Sequence, residues 1–130
     1  MRTLFLLIFL GLGGSIFVPA HAKSKPRGGQ NYYVDAQNGD DRADGKSEKT
    51  AWKSLLRTKE LQLRAGDSLL LRRNSSFNGL LEVSAEGKAG RPVVIGAYGT
   101  GRKPCIQAPD SSLYTVLVRN SDYLTLENLE

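Results

Sequence analysis

The sequence predicts an all-β fold, a solenoid of short strands and turns, on two observations. Short β-rich runs are cut apart by turn residues from Gly66 onward, with no room for a helix between them. Run centres at Leu70, Leu81, Val94, Ile106 and Leu117 lie 11, 13, 12 and 11 positions apart, so every second centre recurs at 23–25 positions. A repeat near two dozen residues made of strands and turns is the mark of coils that stack on one another.

Before the repeat, three stretches are distinct. Residues 1–22 read as a signal peptide: Arg2 is the positive n-region, Leu4 to Val18 the apolar core, and Ala20-His21-Ala22 the small-x-small cleavage site. The expected location is secreted or periplasmic, with no membrane attachment after cleavage. Residues 23–30 (Lys-Ser-Lys-Pro-Arg-Gly-Gly-Gln) read as a disordered linker. The domain then spans residues 31–130. Its first strand is Asn31-Tyr32-Tyr33-Val34-Asp35-Ala36, aromatic and β-branched. Thr50 is the expected cap of one short amphipathic helix from Ala51 towards Glu60, with Trp52, Leu55 and Leu56 on one face and Lys53, Arg57 and Lys59 facing water. Such a helix forms an N-terminal cap, because the first coil otherwise exposes its core and its strand edges. Trp52 lies on the apolar stripe and reads as the plug of that cap.

Turn chemistry then sets the beat. Gly66-Asp67, Asn78-Gly79, the 87–91 stretch and Tyr98-Gly99-Thr100-Gly101 each precede a strand, and Pro92 opens one, where a missing N–H costs least. Asp110-Ser111-Ser112 and Asn120-Ser121-Asp122 introduce the last two runs. The final stretch from Tyr123 alternates and stops at Glu130 without a closing turn or cap. The expectation is about two coils of a truncated solenoid, since such folds use three or more repeats with both ends closed.

Composition narrows the chemistry. His21 is the only histidine and lies in the signal segment, so the mature chain excludes histidine-based triads and metal sites. Cys105 is alone, rules out an internal disulfide, and reads as a small buried hydrophobe. The formal charge of +5, one less without Arg2, favours an anionic partner. For an exported protein the expected partner is an acidic polysaccharide, with no nucleic acid.

The ordered features resemble the N-terminal region of secreted right-handed parallel β-helix proteins of the pectate-lyase-like superfamily. The resemblance is carried by Tyr32-Tyr33-Val34, the Asn38 to Gly45 loop, Ala51-Trp52-Lys53-Ser54-Leu55, Gly66-Asp67, Phe77-Asn78-Gly79, Gly90-Arg91-Pro92, Ile95-Gly96-Ala97-Tyr98-Gly99 and Lys103-Pro104. It implies a right-handed parallel β-helix and an exported, polysaccharide-processing role, lyase-like on uronic-acid glycans, in a fragment that lacks the catalytic coils. The alternatives are a non-catalytic carbohydrate-binding or cell-surface β-helix and an inert truncated product. Catalytic residues in such lyases lie on later coils, so the catalytic set here is unknown.

Uronate elimination needs a base and a cation beside the carboxylate. The repeat aligns Arg72, Gly96 and Arg119 in one column, 24 and 23 positions apart. If Leu71 and Val118 point inward, Arg72 and Arg119 point out together and can grip carboxylates, which makes them the expected substrate-binding residues. For a hydrolase, Asp110 and Asp122 are carboxylates of the right type, in contexts that also suit turns. Asp40 to Gly45 looks like a calcium loop, but Arg42 occupies a ligand position and Ala51 the twelfth, so a plain turn is expected and no metal site. A cofactor is unknown: Ca²⁺ is compatible with a full-length relative, with no convincing site here. Asn74-Ser75-Ser76 is a glycosylation sequon in a eukaryotic host.

Overall fold

The structure is a computed structural model that describes residues 28–130. The expected signal peptide and residues 23–27 of the expected linker lie outside the described residues. The strands are β1 (Asn31–Val34), β2 (Gln62–Arg64), β3 (Ser68–Arg72), β4 (Ser76–Asn78), β5 (Leu81–Glu86), β6 (Val93–Tyr98), β7 (Cys105–Gln107), β8 (Val116–Asp122) and β9 (Leu124–Leu126). Two 3₁₀ helices, Glu48–Thr50 and Leu55–Glu60, stand between β1 and β2. The fold is all-β, and every pairing between named strands is parallel. Three sheets result, with orders β1-β3-β6-β9, β2-β5-β8 and β4-β7. From β3 onward the chain visits the four-, two- and three-stranded sheets in a fixed cyclic order.

Alternation builds the core. In β3, Leu69 and Leu71 are buried while Leu70 and Arg72 are not, as a period of two requires when one face of a strand is covered. Val93 and Ile95 of β6, Leu81, Val83 and Ala85 of β5, Leu63 of β2, and Phe77 and Ile106 of the two-stranded sheet join them in one cluster. Gly66, at φ +86, makes the sharp entry to β3 that a side chain would strain. Beside it the buried Asp67 carboxylate accepts the backbone N–H groups of Gln30 and Arg64, both at 2.9 Å, and so ties the entry of β1 to the turn after β2.

The register corrects the expected beat. Leu70 faces Gly96, Phe77 faces Ile106, Leu81 faces Val116 and Val93 faces Leu124. These offsets, 26, 29, 35 and 31 positions, are longer and less even than two dozen. Leu117 faces Glu82 rather than Val94, and Ile106 stacks on Phe77 rather than Leu81. The cause is β4: three residues with one buried side chain make too short a run to be noticed, yet they occupy a whole sheet position. Omitting β4 leaves the strand of Val94 beside that of Leu70, as expected, but puts Ile106 and Leu117 on the wrong sheets.

The cap also differs in detail. Instead of one helix starting at Thr50, Ser47 and Ser54 cap two separate 3₁₀ segments. With three residues per turn, Leu55 and Thr58 share the inner face, and Leu56 is left 69% exposed. Trp52 lies outside both helices and pairs with the free edge of β1: its N–H donates to Tyr33 O at 2.9 Å, and Asp35 N–H donates to its carbonyl at 2.7 Å. Its indole stacks on Tyr32 at 5.7 Å, donates Nε1–H to Ala43 O at 2.9 Å, and lies under the Arg57 guanidinium. Gly45, at φ +71, lies flat against that ring, where any Cβ would run into it.

Candidate functional site

Arg72 ends β3 and faces Tyr98 at the end of β6. On its other side is Asp35, directly after β1, whose Oδ2 lies 2.7 Å from the guanidinium. The Asp35 carboxylate is 2% exposed, and its Oδ1 accepts the N–H groups of Gln37 and Asn38 at 2.9 and 3.1 Å. Burial pushes this carboxyl up, but the Arg72 hydrogen bond, the two backbone N–H groups and the Arg72 charge together hold it below its ordinary value. Tyr98 meets Tyr33 edge-on at 5.1 Å, and its buried hydroxyl has no hydrogen-bond partner. Burial, reinforced by the Asp35 charge, pushes its phenol up to about 12. Asp35, Arg72 and Tyr98 thus form one polar rung across three strand ends, in which Asp35 and Arg72 engage each other and the Tyr98 hydroxyl is left without a partner.

Arg119 is elsewhere. It lies in β8, faces Ser84, and pairs with Glu82 at 2.8 Å diagonally across to β5. Arg72 and Arg119 are in different sheets, and Gly96 faces Leu70, so the expected column of guanidinium groups does not form. A spacing near two dozen could not separate these sheets because it omitted β4.

Asp110 lies in an exposed turn before β8. Asp122 ends β8, and a bulge between Ser84 and Glu86 in the pairing sets it opposite Glu86, a residue that sequence reasoning passed over. Ser121 is the inserted residue's neighbour at this irregularity, its Oγ accepting from Ala85 N–H at 3.0 Å. Two carboxylates on adjacent strands have the composition that glycoside hydrolysis uses. Both, however, are open to solvent. An irregular register carries no local signal, which is why the pair was not legible in the sequence.

In the loop that looks like a calcium site, the carboxylates are engaged within the chain. Asp40 pairs with Arg42 at 3.1 Å, Asp44 accepts Lys46 N–H at 3.0 Å, and Asp41 accepts Lys53 N–H, Ser54 N–H and the Ser54 hydroxyl at 2.8, 2.8 and 2.7 Å. Among the described residues no group of three or more His, Cys, Asp or Glu side chains is placed to hold a metal ion. Asp41 also lines a groove of about 290 Å³ with Lys53, Ser54, Ser76 and Asn78, floored by Leu55 and Phe77. A second cavity of about 190 Å³ lies beside β4 and β7, lined by Asn74, Ser75, Arg102, Lys103 and Cys105. Cys105 is half-buried there rather than in the core, because alternation in β7 turns Ile106 inward. No helix among the described residues is long and apolar enough to cross a membrane.

No family model matches the chain. It is similar to the lacto-N-biosidase of Bifidobacterium longum subsp. longum, 32% identical over 129 residues, across 78% of this chain and 8% of that protein. Two crystal structures of GH136 lacto-N-biosidase from Eubacterium ramulus match its fold. The selenomethionine derivative is 35% identical with a TM-score of 0.68, covering 77% of this chain and 20% of that one. The native protein is 36% identical with a TM-score of 0.66, covering 76% and 19%. The chain therefore spans a small part of the length of each relative.

These relatives overturn the functional expectations. They are named as lacto-N-biosidases, not as pectate-lyase-like proteins, lyases or non-catalytic binders, and give that superfamily no support. The motifs that suggested a pectate-lyase-like protein are turn and cap residues, which a capped stack of parallel strands requires whatever reaction it serves. The acidic polysaccharide partner falls as well, since the relatives are named for lacto-N-biose and not for an acidic polymer. The basic charge that suggested it is partly answered inside the molecule, by Asp35 on Arg72, Asp40 on Arg42, Glu60 on Arg57 and Glu82 on Arg119. The proteins that part of this chain resembles are thus lacto-N-biosidases, of which the two solved ones carry the description GH136.

Proposed function

We propose that this chain forms the capped end of a right-handed parallel β-helix serving an exported glycoside hydrolase of the lacto-N-biosidase type. The observation that carries the reading is the agreement of sequence and fold with the Eubacterium ramulus enzyme, 35% identity at a TM-score of 0.68 over 77% of this chain. The helical part rests on the cyclic order of three parallel sheets and on the strong preference of parallel crossover connections for the right hand. Export, to the periplasm or the exterior, rests on Arg2, the apolar run to Val18 and Ala20-His21-Ala22. In this reading the Asp35–Arg72–Tyr98 rung and the Trp52 plug hold the scaffold, and the chain's contribution is a rigid, closed end.

The test is a segment exchange. Residues 28–130 replace the matching segment of the Eubacterium ramulus enzyme, and hydrolysis of an aryl lacto-N-bioside is followed beside an unsaturated-uronate assay on acidic glycans. The expected result is a soluble chimera retaining on the order of a tenth or more of the parental kcat/KM, with no uronate product. A folded chimera without glycosidase activity overturns the proposal.

A further inference from the structure

The groove of about 290 Å³ between the cap loop and β4 is built from residues 36–78, the cap and the first coil. Its cap wall is fixed by Asp41, which holds Lys53 and Ser54 through three hydrogen bonds while Ser54 caps the second 3₁₀ helix. Burial pushes the Asp41 carboxyl up, but the Ser54 and Lys53 bonds and the Arg57 charge hold it below its ordinary value. It is therefore an anion at neutral pH. Its Oδ1 accepts two N–H groups and its Oδ2 one hydroxyl, so Oδ2 has a lone pair left to accept another donor. Leu55 and Phe77, each 2% exposed, make the floor apolar and packed.

The opposite wall is an open strand edge. β4 pairs with β7 on one side only. Cys105 N–H donates to Ser75 O at 3.0 Å and Gly79 N–H to Gln107 O at 2.9 Å, which turns the peptide groups of Ser75 and Gly79 towards β7. Alternation along the strand turns those of Ser76 and Asn78 the other way, onto the groove. Their side chains are exposed on its rim. Among the described residues neither these side chains nor the Lys53 ammonium has a hydrogen-bond or ion-pair partner.

This set of groups selects a ligand by its chemistry. Lys53 and Asp41 carry one charge of each sign, which favours a neutral molecule. Hydroxyls, an amide and open peptide groups both donate and accept, as a polyol does. A few polar groups above an apolar floor suit a ring with a C–H face and a hydroxylated edge. The volume stands at the low end of ligand pockets, roughly 300–1,000 Å³, and so admits one ring. An extended peptide fits less well, because this edge opens the peptide groups of Ser76 and Asn78 only, against about 5–6 residues in an ordinary strand.

We infer, building on the proposed function, that this groove is a binding site for one ring of a neutral saccharide. The C–H face of the ring lies on Leu55 and Phe77, and its hydroxyls bond to Ser76, Asn78, Lys53 and Asp41.

Titration of the isotope-labelled full chain, followed by amide chemical shifts, tests this with three probes: lacto-N-biose, digalacturonate and trialanine. Lacto-N-biose is expected to move the amides of Lys53, Ser54, Ser76 and Asn78 saturably, with a Kd on the order of 1 mM or tighter. Digalacturonate and trialanine bind at least threefold more weakly. Asn78→Ala weakens lacto-N-biose binding roughly threefold or more, as loss of a hydrogen bond does, and Ser76→Tyr, which fills the groove from its exposed rim, abolishes it. Lys103→Ala, beside the second cavity, leaves it unchanged. Circular dichroism of each variant confirms that it is folded. Unsaturable shifts, shifts confined to other residues, tighter binding of trialanine or digalacturonate, or binding indifferent to Asn78→Ala and Ser76→Tyr overturns the inference. An active chimera of a chain that binds no saccharide removes this site and leaves the glycosidase reading standing. Saccharide binding by a chain whose folded chimera is inactive does the reverse.

Discussion

The two ends of the sheet stack use the same kind of side chain to opposite effect. At the cap, Trp52 is 4% exposed, lies against Tyr32, and pairs its backbone with the edge of β1. At the other end Leu126 occupies a column as regular as any in the core and remains 47% exposed. Alternation aims a side chain, but burial requires a second surface, and the hydrophobic gain follows the area removed from water. The cap supplies that surface from a loop and two 3₁₀ turns. The β7–β8–β9 face supplies the columns and the edges only.

The sharpest way to break this comparison is to truncate one residue at each end. Trp52→Ala should cost about 3–5 kcal/mol in urea unfolding, because it empties a stacked, hydrogen-bonded site. Leu126→Ala should cost less than about 1 kcal/mol, as a half-wet position does. Equal losses would mean that the open column is already covered in the isolated chain.

The next largest effect belongs to the Asp35 rung. Asp35→Ala leaves Arg72 and the N–H groups of Gln37 and Asn38 without their acceptor, at a cost of about 1–3 kcal/mol. Its pH dependence sharpens the test. The folded carboxyl lies below its ordinary value of 3.8, so its contribution is full above that pH and is lost as pH falls through the folded value. The stability gap between wild type and variant should hold from neutrality to near pH 4 and shrink below it, as read from urea midpoints at each pH. A gap that shrinks already above pH 5 would contradict the depressed carboxyl.

A smaller effect than that of Asp35 is expected at the helix start. The Ser54 hydroxyl accepts Leu56 N–H at 3.3 Å and donates to Asp41 at 2.7 Å. Ser54→Ala should cost about 1 kcal/mol, visible as a modest drop in Tm. No loss at all would mean that the plug stands without its loop.

Much of the architecture was legible because it is local. Leu69 and Leu71 announce their face by alternation, Gly66-Asp67 announces its turn, and an apolar Trp52 before polar Lys53 announces a cap. The site was less legible. Arg72 is legible as an outward cation, but its partner Asp35 is 37 residues away and looks in the sequence like the tail of a strand. Asp122 was noticed by type, while Glu86 became its neighbour only through a bulge. The lyase expectation failed for a different reason: turn and cap residues report a stack of parallel strands, and many reactions use such a stack.

By itself the sequence determined that short strands would alternate, where they would turn, and that one end would be closed by an aromatic plug, since each depends on a few neighbouring residues. Tertiary structure alone decided which strand lies beside which. That choice depends on loop lengths and on a three-residue strand, β4, whose worth lies in its neighbours rather than in its own pattern. With it were decided the separation of Arg72 from Arg119, the capture of Arg72 by Asp35, and the wet face on which Val118 and Leu126 end their columns.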